Sequence, residues 1–483
     1  MPATIWAAFN SQFLACIVAA NIKLCTFWHV SGRLVLALFA TCLIVTAAVG
    51  EEWSQFRGPN LDGVATDVQL PTEWSADKNV RWKVTIAGVG WSQPVVWGER
   101  IFITTAESDV QSKPDPTNTG PGVSGFAMLF SGAGYNPEPP TEVHRWKVLC
   151  LDAATGRLLW ERVAREGPPT MHIHANNTYA SETPATDGQR LIAYFGMTGV
   201  YCYDLAGNPL WQKDLGAYPT QFGWGTGSSP VLFGDRVYLQ CDNEKSSFIV
   251  ALDKKTGDQE WRADREEKSN WSTPFVWRNK LRTELVTAGG AEMRSYDPES
   301  GELLWSMKGS GRTATTPVGD EELLYVDSYD RLTGGNGVLA AIRPGGSGDI
   351  SLSGNATSND YVAWSARIRA YRIASPLLSQ GCLYFLENNL GIVRCLDAKT
   401  GAEHYRKRLP GARGCVSSPL TSGDHVYCLD TNGRMTVLDA AAGPELKVVA
   451  SNELDEMCWA TPAIASNNLL VRTVDHLYCV GAD

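Results

Sequence analysis

Few residues in this sequence have the type and setting for chemistry. Glu182 is the one acid in a series otherwise made of small residues, Ser92, Ser228, Ser272, Thr315, Ala374, Ser417 and Ala460, each two positions before a proline. A carboxylate facing a channel there would bind a cation or act as a base, with its pKa raised if desolvated. Pairing with a nearby arginine or amide is the structural alternative. Trp91, Trp271 and Trp459 recur three positions before the same prolines. Together they would form an aromatic collar that stacks sugars or grips a peptide, unless they only pack on a neighbouring unit. His172-Ile173-His174 is followed by Asn177 and Tyr179. An H-x-H pair chelates metals, but no third ligand is evident, and surface hydrogen bonding is the plainer role. Asp242-Asn243-Glu244 offers oxygen ligands without a calcium-loop spacing. These residues are candidates for a ligand or partner; no catalytic set, metal site or bound cofactor is expected from them.

The elements that position them come from an internal repeat. The prolines are Pro94, Pro184, Pro230, Pro274, Pro317, Pro376, Pro419 and Pro462, and most successive pairs lie 43–46 residues apart. Each is followed by an apolar pair, a Gly/Asp/Asn turn and a second apolar strand such as Ile101-Phe102-Ile103. A third strand ends in Asp-x-x-x-Gly, and an aromatic opens the fourth: LDAATGRLLW, LDKKTGDQEW, YDPESGELLW, LDAKTGAEHY. Four short strands per unit make one antiparallel blade, and radial repetition protects the edges. The last unit lacks its fourth strand, and the spare strand Val80–Val84 near the N-terminus supplies it. The expected fold is all-β, an eight-bladed β-propeller of four-stranded antiparallel blades over residues 51–483. Insertions fall at 107–145 and 344–360. Blade seven has no aromatic in the fourth strand, and Leu446 or Val448 is expected to fill that slot.

The strand-turn-strand motif resembles the pyrroloquinoline-quinone-type (PQQ) repeat, and the chain resembles the BamB-like, PQQ-like propellers of bacterial envelopes. Segments such as WSQFRGPN, NTYASETPATDG, GWGTGSSPV and DEMCWATPAI are similar to an exported bacterial branch of that family. The resemblance implies a quinoprotein dehydrogenase-like propeller and an exported, non-catalytic binding or scaffold role. Its alternative is a PQQ-dependent oxidoreductase with calcium over the channel. The family's dehydrogenases often carry adjacent cysteines and some carry C-x-x-C-H; neither occurs here.

Residues 1–50 hold two basic residues, Lys23 and Arg33, and no acid. The apolar run Leu34 to Val49 and the small residues before Glu51 read as a signal peptide or an N-terminal anchor. Either implies export to the periplasm or cell envelope, with membrane contact only through this segment. Without it the chain carries 40 basic and 52 acidic residues, a balance that disfavours nucleic acid. The expected partner is a protein or carbohydrate ligand at a propeller face. Of twelve cysteines, Cys150, Cys202, Cys395 and Cys479 share one repeat position, which calls for a small buried residue. Residues 107–145 read as a long loop whose apolar patch, Phe126 to Phe130, would cover a face or meet a partner.

Overall fold

The computed structural model describes residues 52–481 apart from 67, 76–77, 111–112, 115–137, 330–336, 369, 371 and 388–389. The expected leader at residues 1–50 and the Phe126–Phe130 patch lie outside the described residues. Eight blades form, each a meander numbered here from its inner strand outward. Blade one is Val95–Trp97, Arg100–Glu107, His144–Asp152 and Leu158–Gly167. Blade two is Ala185–Thr186, Arg190–Tyr194, Val200–Asp204 and Pro209–Lys213. Blade three is Val231–Phe233, Arg236–Cys241, Ser247–Asp253 and Gln259–Arg265. Blade four is Phe275–Arg278, Thr283–Thr287, Glu292–Tyr296 and Leu303–Lys308. Blade five is Val318–Gly319, Leu324–Ser328, Val338–Ile342 and Val362–Ala366. Blade six is Leu377–Ser379, Cys382–Glu387, Ile392–Asp397 and Glu403–Arg408. Blade seven is Leu420–Ser422, His425–Leu429, Arg434–Asp439 and Val448–Glu453. Blade eight is Ala463–Ala465, Asn468–Arg472, His476–Val480 and the N-terminal strand Val80–Thr85, with Trp82 opposite Cys479.

The repeat is a packing unit. In every blade the pairing of strands three and four shifts register beside one cross-strand pair. A small residue faces an aromatic there: Cys150–Trp160, Cys202–Trp211, Ala251–Trp261, Ser295–Trp305, Ala341–Trp364, Cys395–Tyr405 and Cys479–Trp82. The bulge turns the aromatic toward the next blade. It lies on the glycine of the turn between strands three and four of that blade. A Cβ on Gly257 would stand 2.5 Å from Trp211, and one on Gly207 2.8 Å from Trp160. The indole N–H donates into the same turn, from Trp160 to the Leu205 carbonyl and from Trp211 to that of Lys254, both at 3.1 Å. Burial pushes the thiols of Cys150, Cys202 and Cys479 up to about 12, which fits packing rather than redox chemistry.

The Ser/Thr-Pro signature has its own cause. The Gln93 N–H donates to the Thr183 hydroxyl, the Thr183 N–H to Ser229, and so on through Thr273, Thr316, Ser375, Ser418 and Thr461, at 3.0–3.3 Å. Gln93 stands where the other blades have a hydroxyl, and its side-chain amide donates to the Pro462 carbonyl, completing the circle. Each link satisfies a backbone N–H that the strand ladders leave free.

Blade seven departs from the expectation. Ala450 occupies its aromatic position, opposite the larger Val437. Val448 is 37% exposed, and Leu446 packs toward blade six, so neither fills the gap toward blade eight. The N-terminal segment does so instead. It runs outward along blade seven: Ser422 donates to the Val68 carbonyl, Tyr427 to that of Leu70, and Asn452 bonds both Thr72 and Trp74. Trp74 is 5% exposed within the cluster shared by blades seven, eight and one. The 344–360 insertion also packs on a blade. Gly348–Asp349 adds a fifth, parallel strand to the outer edge of blade four, and Gly346 lies against Trp305 as the turn glycine would.

Candidate functional site

In such a meander the turns between strands one and two and between three and four share one end of the ring. The loops between strands two and three and the connections between blades share the other. The two channel mouths therefore differ. The turn-side mouth is stoppered by residues 53–65. The backbone N–H groups of Val96, Thr186 and Leu232, on the inner strands of blades one to three, donate to Trp53, Ser54 and Gln55. Val64–Ala65 pairs in parallel with Thr421 and Ser422 of blade seven. Leu61, 2% exposed, packs with Phe275 and Val276 of blade four. Arg57 is fully buried. Its N–H donates to Gln93 Oε1 at 2.6 Å and its guanidinium to the Asp62 and Pro376 carbonyls. Burial lowers its pKa to about 10 despite the nearby Asp62. Gly58, with φ +83°, lies flat on the Trp53 ring, where a side chain would clash. WSQFRGPN is therefore the stopper itself, which periodicity could not reveal because the segment does not repeat.

The loop-side mouth carries the candidate residues. Trp459 of blade eight and Trp91 of blade one stack with ring centres 6.0 Å apart. The Trp91 indole donates to the Asn176 carbonyl at 2.8 Å. Trp271 does not join them. It lies by Trp224, 5.6 Å away, and donates to the Gly225 carbonyl at 2.8 Å. Phe222 and His174 flank Trp224 at 5.8 and 6.3 Å. The collar is thus two clusters joined by the His172–Tyr179 loop. Asn177 anchors that loop by donating to the Trp224 and Thr226 carbonyls, and Tyr179 donates to the Met171 carbonyl. His172 Nδ1 lies 3.4 Å from the Gly223 carbonyl, and His174 Nδ1 accepts from the Asn176 N–H. Burial, with His172 adding to it, lowers the His174 pKa. Trp459, Trp224, Phe222 and Trp271 each remain partly exposed. Trp224 and Phe222 were not singled out from the sequence because they fall outside the repeat register.

Glu182 is 2% exposed. Its carboxyl lies beside the Thr226 hydroxyl, over Gly196, where a Cβ would come within 3.0 Å of the Glu182 oxygen. It belongs to no ion pair among the described residues, and desolvation raises its pKa to about 7. Asp242 pairs with Arg265 at 2.9 Å, both side chains fully buried. Asn243 caps its own turn and Glu244 accepts from Ser269 and Arg312. The Asp242–Glu244 run is a structural network.

A family model described as outer membrane protein assembly factor BamB matches residues 144–276, 246–343 and 336–473, together more than half of the chain. The chain belongs to the BamB family. This BamB-family chain matches no curated protein. Among solved structures it is similar to BamB from Moraxella catarrhalis, at 12% identity and TM-score 0.54, over 84% of this chain and 97% of that one. A europium-containing methanol dehydrogenase is matched at 12% identity and TM-score 0.57, over 89% and 91%. The quinohemoprotein alcohol dehydrogenase from Comamonas testosteroni is matched at 12% and 0.53, over 91% and 82%. At such identities the likeness is one of fold.

The fold is thus shared with quinone enzymes, and the residues here can be tested for that cofactor. A calcium-quinone site needs converging oxygen ligands. Among the described residues no three His, Cys, Asp or Glu side chains converge on one point. The two amides beside Asp242 are spent within the network, Gln240 on Asp242 and Ala288, and Asn270 on Asp242, Lys268 and Thr313. The donor set does not fit the group.

Proposed function

We propose that this BamB-family propeller is an exported, non-catalytic binding protein of the cell envelope, and that it receives a segment of a partner protein at its loop-side mouth. The asymmetry of the channel carries the reading. One mouth is closed by the chain's own N-terminal segment, while the other is rimmed by partly exposed indoles on rigid connections. Aromatic rings offer large contact area at low entropic cost, which suits a binding surface. The family description and the leader supply the envelope setting. No helix of the described residues is long and apolar enough to cross a membrane.

A photo-crosslinking residue placed at Trp459 or Trp271 in the full chain, expressed in cells, should form protein adducts. The same residue at Lys255, on a turn-side loop, should not. Adducts at Lys255 alone would overturn the reading. So would turnover of an alcohol by the purified chain supplied with pyrroloquinoline quinone and calcium.

A further inference from the structure

The outer strand of blade six differs from the other seven. It reads Glu-His-Tyr-Arg-Lys-Arg over Glu403–Arg408, and Arg406, Lys407 and Arg408 are all exposed. Lys399 and Arg413, also exposed, flank it in the adjoining loops. Folding therefore gathers cations that the net charge of −10 conceals. No other outer strand has three adjacent cations; those of blades one and three mix both signs. Arg406 is committed to Glu387 at 2.8 Å, and Arg408 donates to the Ala412 carbonyl. Lys399, Lys407, Arg408 and Arg413 hold no ion pair among the described residues.

The strand is also an open edge. It ends a four-stranded sheet, with no further described strand against it. Blade four demonstrates what such an edge accepts. There the chain's own Gly348–Asp349 runs parallel to the outer strand, Ile350 donates to the Ser306 carbonyl at 2.9 Å, and the Lys308 N–H donates to Ser351. The added strand brings Asp349 to Lys308, whose charge helps lower the aspartate's pKa after the hydrogen bonds from Ser351. A short parallel strand carrying one aspartate, beside an outer strand carrying one lysine, is thus already built once in this molecule.

We propose that the outer edge of blade six receives an acidic, extended segment of a partner protein as a fifth strand. The backbone of Glu403–Arg408 supplies the ladder hydrogen bonds, and Lys407, Arg408 and Arg413 pair with its carboxylates. Cations on an edge strand also deter pairing with chains of like or neutral character, so an acidic strand is the one this edge selects. An anionic lipid surface would meet the same cations without using the strand's backbone groups. The site lies on the ring's perimeter, away from the aromatic mouth, and stands independently of the function proposed for that mouth.

The test measures fluorescence anisotropy of the full chain with a labelled peptide alternating aspartate and valine. A copy N-methylated on alternate amides and vesicles containing phosphatidylglycerol serve as comparisons. The plain peptide should bind, and N-methylation should weaken it about tenfold through lost ladder bonds. Lys407→Glu with Arg408→Glu should weaken it by about as much, with an unchanged melting temperature. Equal binding of plain and methylated peptides would overturn strand addition, whatever the variant does. No peptide binding, or vesicle binding alone, would overturn the proposal outright.

Discussion

Trp74→Ala should be among the most damaging single substitutions outside the repeat. Trp74 does for blade seven what the fourth-strand aromatic does elsewhere, but it arrives on a separate stretch of chain. An indole buries roughly 200 Å², worth ~5 kcal/mol at about 25 cal/mol per Å². Extended-chain accounting overstates such burial by up to about a third, and measured Trp→Ala changes in cores run at about 3–5 kcal/mol. A loss of about 3–4 kcal/mol follows. The indole nitrogen of Trp74 has no hydrogen-bond partner, so Trp74→Phe should cost only about 1 kcal/mol. Val448→Ala, at a side chain 37% exposed, should stay within about 0.5 kcal/mol. Equilibrium urea unfolding of the three variants reads all of this from the midpoints, provided the slopes match. If Trp74→Ala cost no more than Val448→Ala, the strap would not be what holds blade seven to blade eight.

Other perturbations probe the rest of the ring. Thr273→Val removes one hydroxyl of the circle and strands the Ser229 N–H, so urea unfolding should report a loss of about 1–3 kcal/mol; no loss would mean the link is incidental. Burial holds the Glu182 carboxyl at about 7, above its unfolded value. Its contribution is therefore complete below the ordinary carboxylate value of about 4.5 and is lost as pH rises from there to about 7, by roughly 3 kcal/mol. Glu182→Gln should flatten stability between about pH 4.5 and 7, and an unchanged slope would rule out a neutral Glu182. For Glu456, burial alone would raise the carboxyl, but hydrogen bonds from Thr473, Tyr478, His476 and Lys83 outweigh it and hold it at about 2. That contribution is present above the ordinary carboxylate range and is lost as pH falls toward 2. Glu456→Gln should thus cost stability at pH 7, with the difference from the parent chain narrowing in acid. A difference that stays constant with pH would mean Glu456 acts by shape alone.

The blades were legible because one local pattern recurs: proline, apolar pair, turn, small residue, aromatic. The same periodicity identifies the fourth-strand aromatics and Cys150, Cys202, Cys395 and Cys479 as packing residues. What it could not convey was anything that occurs once. The stopper around Arg57 and the strap ending at Trp74 lie in non-repeating sequence, and several of their partners are on blades hundreds of residues away. Blade seven was misjudged for that reason, since a local substitute was sought for a part supplied from elsewhere. The Ser/Thr before each proline was visible as a motif, but its role needs the neighbouring blade in view. Trp91, Trp271 and Trp459 were correctly grouped by register, yet register carries no angle around the ring. Their division between two clusters depended on Trp224, which the repeat does not include.

The shared blade also dictates an order of events. Trp82 must wait for Cys479, about 400 residues apart along the chain. The stopper and the strap also reach late-made blades: the stopper bonds Pro376 and Thr421 beside its bonds to blades one to three, and the strap bonds Asn452. The strand Val80–Thr85 has no blade to join until His476–Val480 has been made. The segment that precedes blade one is therefore held in full only after blades far along the chain exist. Blade eight closes only when His476–Val480 meets Val80–Thr85, whereas the blades that hold the stopper and the strap precede that strand in the chain.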